Sequence, residues 1–165
     1  MARIFINEKG NKVVEIDKIK FSGKRKINWA AVEDYLKDYI GKAYALEQMN
    51  DVIYVGSEFP DEYANSKYSS KAFGTIGRAK ANASQAIPEL IKVTTNISFQ
   101  DNTEEKHKID AKYGWYRGTV HFTIPTCNDK GEVIGRNAFQ GRMIIRHDAD
   151  GKKYLYDIID IKKET

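Results

Sequence analysis

Three histidines, His107, His121 and His147, and a set of arginines, lysines and tyrosines gather in the second half of a 165-residue chain. One reaction suits such a set without a metal ion. RNA is cut when its own 2′-hydroxyl attacks the adjacent phosphate. The protein then supplies a base for that hydroxyl, an acid for the leaving 5′-oxygen, and cations for the charge on the phosphorane. Histidine titrates near neutral pH and fills either proton-transfer role. Arginine grips a phosphate through two parallel donors. On this reading His107 and His121 exchange protons, while Lys112, Arg117 and Arg146 hold the phosphate. Trp115 and Tyr116 stack the base, and Arg142 adds a further cation. Each has a plain structural alternative: a solvated charge run around His107, a surface histidine at position 121, and a packed cation–aromatic cluster at Trp115–Arg117.

Other chemistries lack their residues. No CxxC or HExxH pattern is present, and the histidines are too far apart for local ligand spacing, so no metal site is expected. No GxxxxGK[ST] loop and no GxSxG elbow occurs, so neither a phosphate-loop nucleotidase nor a common covalent hydrolase is indicated, and no cofactor is expected. Cys127 is the single cysteine, which excludes an intrachain disulfide and makes a reducing, cytoplasmic setting the default. No apolar run approaches the roughly 20 residues of a membrane span.

Charge is segregated along the chain behind a net charge of only +4. Residues 1–30 carry 8 basic and 3 acidic groups, and residues 31–65 carry 2 basic and 8 acidic ones. The basic cluster Lys18, Lys20, Lys24, Arg25, Lys26 can hold phosphates. It can equally be a solvated strip that pairs with the acidic segment following it. Lys71 and Arg78, seven residues apart, share a face of an expected helix and extend the candidate nucleic-acid surface.

The elements that must position these groups follow from periodicity. Arg3–Asn7 and Lys12–Ile16 read as a hairpin about a turn containing Gly10. Asn28 is placed to cap a helix whose apolar positions are Trp29, Val32, Leu36, Tyr39 and Ile40, with Gly41 closing it. Val52–Val55 reads as a buried strand. Pro60 and Pro88 each fit the start of a short helix, and one longer helix is expected from about Ser70 to Ala86. Gln100–Lys108 reads as a loop. From Trp115 the period becomes two: Tyr116, Gly118, Val120, Phe122 and Ile124 form one face, and Trp115, Arg117, Thr119, His121 and Thr123 the other. Further strands over Asn137–His147 and Lys152–Ile161 complete an antiparallel meander. The expected fold class is α+β, an N-terminal hairpin and helices packed on a C-terminal antiparallel β-meander. One domain is expected over 1–165, with the hairpin in 1–18.

The stretches Asp51–Lys67 (DVIYVGSEFPDEYANSK), Ala79–Ile91 (AKANASQAIPELI), His107–Pro125 (HKIDAKYGWYRGTVHFTIP) and Ile144–Thr165 (IIRHDADGKKYLYDIIDIKKET) resemble a large polyvalent protein-associated domain. Such domains occur in multidomain proteins of phages and conjugative elements. The resemblance runs from about Ile19 to Thr165 and is most specific in the GWYR and YLYDIIDIKKE blocks. The layout is similar to the barnase–EndoU–colicin–RelE-like nuclease superfamily. The resemblance implies a role in conflict between a mobile element and its bacterial host. Two partners follow: RNA, cut without a metal, or a host nucleic-acid enzyme such as a CRISPR effector, blocked by a non-catalytic anti-defence protein. In the second case the acidic segment Glu33 to Glu62, including Asp34, Asp38 and Glu58, stands in for a phosphate strand. A third possibility is an adaptor domain with no site.

Overall fold

The computed structural model of the chain describes residues 2–22, 26–101 and 111–164. Its class is α+β, with helices packed against a curled sheet. The N-terminal hairpin pairs β1 (Arg3–Ile6) with β2 (Lys12–Glu15). The expected Asn28 cap is present: its side chain accepts from the Ala31 N–H and opens α1 (Trp29–Leu36), which buries Val32 and Leu36. Then come β3 (Ala43–Leu46), β4 (Asp51–Tyr54), α2 (Phe59–Asn65), α3 (Lys67–Lys71), α4 (Gly74–Ala83), α5 (Ile87–Val93) and β5 (Thr95–Gln100). Three long strands finish the chain: β6 (Trp115–Cys127), β7 (Val133–His147) and β8 (Lys153–Lys163).

The late meander β6–β7–β8 is antiparallel and forms the centre of one sheet ordered β1-β2-β6-β7-β8-β4-β3. The sheet is larger than the meander because strands from the first half of the chain join both sides of it. Strand β2 pairs with the C-terminal half of β6 in parallel, and β5 pairs with the N-terminal half of the same β6 edge. Strand β4 pairs in parallel with the start of β8, at Lys153 and Tyr154 only. Beyond that point the β8 edge is capped by a side chain: the Tyr68 hydroxyl accepts from the Ile161 N–H. An otherwise open donor is thereby satisfied and edge-to-edge pairing is blocked there.

The alternation expected from Trp115 onward sets the two faces. Val120, Phe122, Phe139, Met143, Ile145 and Ile158 point into a core completed by Ile87, Leu90 and Ile91 of α5 and by Val32 and Leu36 of α1. Trp115, Arg117, Thr119 and His121 of β6 face away, beside Arg146, Ile144, Arg142 and Gln140 of β7 in that register. We call this the outer face.

The single helix expected from Ser70 to Ala86 is broken. Ala72 and Phe73 are extended, and Gly74 begins α4 at φ +62°. The break brings the Ala72 carbonyl against Gly77, where a Cβ would lie 2.9 Å from that oxygen. A straight helix and this close approach are incompatible, and packing outweighs the local periodicity.

A buried ion pair ties α4 to β8. Lys80 Nζ donates to Asp157 Oδ1 at 2.7 Å, with both side chains almost wholly buried. The rings of Tyr63 and Tyr68 lie 4.6 and 4.9 Å from the ammonium. Burial pulls the Lys80 pKa down, against the opposing pull of Asp157, and pushes the Asp157 carboxyl up to about 6, against that of Lys80.

Candidate functional site

Arg146 sits near the end of β7 at the mouth of a cleft of about 560 Å³ between the start of α2 and β8. Its guanidinium is saturated. Nε and Nη2 donate to the two carboxylate oxygens of Asp148 at 2.6 and 3.1 Å, and Nη1 donates to Glu58 at 3.2 Å. The Tyr154 and Tyr156 rings lie 5.9 and 5.8 Å away. Burial works to lower the Arg146 pKa, but Asp148 and Glu58 outweigh it and hold the group above its ordinary range. Trp115, opposite Arg146 in the ladder, meets Tyr156 edge-on at 4.9 Å. The packed cation–aromatic alternative therefore describes Arg146, Trp115 and the tyrosines.

The rest of this cleft is acidic. Glu58, Asp61, Glu62 and Asp148 line it. Tyr154 donates to Asp150 at 2.7 Å, which draws the Asp150 carboxyl down and pushes the Tyr154 phenol up to about 12. Burial, then Glu62, pushes the Tyr156 phenol up. Asp61 also leads out of the cleft. Asn65 donates to Asp61 at 2.8 Å and to Glu33 of α1 at 2.9 Å, so one amide links carboxylates of two helices. Asp34, next to Glu33 on α1, is 80% exposed and lies 3.6 Å from Lys37 Nζ.

His121 lies elsewhere. Its Nδ1 is 2.6 Å from Glu164 Oε1, and the ring is only 8% exposed. It faces Gln140 in the ladder, whereas Arg146 faces Trp115. Six residues of strand separate those positions, roughly 20 Å at about 3.3 Å per residue. Arg117 lies between them, about 13 Å from His121 on the same measure. The expected convergence of His121, Arg117 and Arg146 on one phosphate is therefore not seen: alternation gives them one face but spreads them along it. Lys112 is exposed in the turn before β6, its ammonium 5.5 Å from the Tyr113 ring. That turn is zipped to the end of β7, with Tyr113 donating to the His147 carbonyl. Lys112 is thus at the Arg146 end of the sheet. His107, Lys24 and Arg25 lie outside the described residues.

The nucleic-acid candidates divide as well. Trp115 and Tyr116 do not share a platform. Tyr116 points to the core side, against Phe99 at 5.2 Å and His147 at 6.1 Å. Lys71 ends α3 and Arg78 is in α4, so the extended Ala72–Phe73 link removes the shared helical face expected for them. Lys26 is exposed before α1. Arg142, opposite Thr119, stands on the outer face two positions from the level of Arg117, with Asp160 3.4 Å from its Nη1.

Arg117 contrasts with Arg146. Its Nε is sealed from solvent and meets no hydrogen-bond partner among the described residues. It lines a groove of about 370 Å³ with Arg142 and with Asn96, Ser98 and Gln100 of β5. Sequence reasoning missed β5, and so missed the polar wall that this strand adds to the groove.

Among the described residues, no group of three or more His, Cys, Asp or Glu side chains is placed to hold a metal ion, and no helix is long and apolar enough to cross a membrane. No protein-family model, curated protein or solved structure matches the chain.

Proposed function

We propose that this chain is a non-catalytic conflict protein of a mobile element, which binds a host nucleic-acid enzyme through the acidic α1–α2 ridge. The ridge stands in for a phosphate strand and docks a basic groove. The observation that carries this reading is the linked set of carboxylates: Glu33 and Asp61 share the Asn65 amide, and Asp61 lines the cleft with Glu62, while Arg146 pairs with the Glu58 and Asp148 of that cleft. Repeated negative charge on rigid helices offers a basic groove both attraction and register. The resemblance to polyvalent-protein domains supplies the setting, a phage or conjugative element inside a bacterial cytoplasm.

The endoribonuclease reading is the weaker one on this geometry. It needs His121 and Arg146 at one phosphate, but they stand roughly 20 Å apart and each is engaged by carboxylates.

The test is displacement. Purified RNA-guided and restriction nucleases, each holding a fluorescent nucleic-acid duplex, are titrated with the chain. At least one is expected to release its duplex. The triple reversal Asp34→Lys, Asp61→Lys, Glu62→Lys is expected to weaken that release by about 100-fold or more, since like charges placed across an interface oppose docking. Full activity of the triple variant refutes phosphate mimicry.

A further inference from the structure

Arg117 presents an anomaly on a strand that is otherwise well satisfied. Its Nε is buried and without a partner among the described residues. A charged donor hidden from water without an acceptor is costly, and such groups are rare unless something else supplies the acceptor. The position explains why burial was reached at all. Ile144 faces Arg117 across the ladder and is itself only 7% exposed, while Ser98 of β5 faces it from the other side. The side chain is thus flanked at its own level on both neighbouring strands.

The groove around it is polar and cationic. Thr119 and Gln100 stand one step along the same face on β6 and β5, and Arg142 stands opposite Thr119. Asn96 adopts φ +53° at the irregularity between Thr95 and Ser98, and it lines the groove. Hydroxyls and amides from β5 and β6 therefore line the groove with two guanidinium groups. Arg142 is 49% exposed, and its 3.4 Å contact with Asp160 is a loose surface pair of small net worth.

We propose that this groove on the outer face of β5, β6 and β7 is an anion site that takes a phosphate of a nucleotide or of single-stranded RNA between Arg117 and Arg142. A phosphate offers several acceptor oxygens, enough to bridge the Arg117 side chain, which lines the groove, and the Arg142 fork. Ser98, Thr119 and Gln100 supply neutral donors around it. The site is separate from the acidic ridge and does not depend on it.

The experiment is fluorescence anisotropy with a labelled single-stranded RNA oligonucleotide, competed by inorganic phosphate and by adenosine monophosphate. Arg117→Gln and Arg142→Gln are each expected to weaken the RNA at least about tenfold. Each is also expected to reduce the salt dependence of log K by roughly 0.7, the step for one lost contact on a single strand. Lys130→Gln, in the β6–β7 turn, is expected to retain the affinity. Melting curves verify that every variant is folded. Competition by phosphate and the monophosphate at concentrations that release the RNA assigns the site to the phosphate group itself. If the monophosphate binds with the same arginine dependence while RNA does not, the site stands with a nucleotide as its source. Failure of all three probes to bind, or binding unchanged in both arginine variants, overturns the proposal.

Discussion

Arg146 and Arg117 stand on one face of adjacent strands, and their surroundings are opposite. Arg146 has two oxygens of Asp148, one of Glu58 and two tyrosine rings about it. Arg117 has a buried Nε with no acceptor among the described residues. Residue type and strand alternation are the same for both. What differs is the chain brought to each from elsewhere: the acidic entry to α2 at Arg146, and the neutral, polar β5 at Arg117. Arg146 is held in place by its partners, whereas Arg117 lines a groove. The same contrast holds for Lys80, whose ammonium is enclosed by Asp157, Tyr63 and Tyr68.

The comparison breaks most sharply at the enclosed end. Lys80→Met leaves Asp157 buried and alone, and is expected to lose about 3–5 kcal/mol in chemical denaturation. The double variant Lys80→Met, Asp157→Leu is expected to recover most or all of that loss, because a buried pair replaced by apolar groups is often neutral or stabilising.

Next comes Arg146→Met, which strips charge-assisted hydrogen bonds from the largely enclosed Asp148 and from the exposed Glu58. The expected loss is about 2–3 kcal/mol. Arg117→Met is expected to leave stability within about 0.5 kcal/mol of the parent or to raise it, because the buried donor Nε that it removes has no partner among the described residues. A loss for Arg117→Met equal to that for Arg146→Met would erase the distinction between the two.

A smaller effect appears in the pH dependence. Burial, opposed by Lys80, raises the Asp157 pKa from 3.8 unfolded to about 6 folded. Between those values the folded state holds more protons than the unfolded one. The contribution of this group is therefore fully present below 3.8 and is lost as pH rises through about 6. The stability of the Lys80→Met, Asp157→Leu double variant, measured against the parent by denaturation, is expected to improve steadily across that window. A flat difference would show that Asp157 does not titrate there.

Local pattern carried much of this architecture. The hairpin, the Asn28 cap, the proline-led α2 and α5 and the two-residue period of β6 were all legible, because each depends on near neighbours. Strand β3 was not, since Ala-Tyr-Ala-Leu is too short to show a period and owes its form to pairing with β4. Strand β5 was hidden by Asn96, whose positive φ interrupts its pairing. The break at Ala72–Phe73 answers to close packing at Gly77. For the site, the residue types were legible and their electrical state was not. Beyond the local Asp148, Arg146 meets Glu58, 88 positions earlier, and His121 meets Glu164, 43 positions later. No spacing rule reports pairings at such separations.

The central claim, that this chain binds and does not cut, is tested most directly by following single-stranded RNA incubated with the purified protein in excess EDTA. Bound RNA is expected to be recovered at full length, from the parent protein and from His121→Ala alike. Fragments ending in 2′,3′-cyclic phosphate, formed by the parent and lost in His121→Ala, would contradict the account.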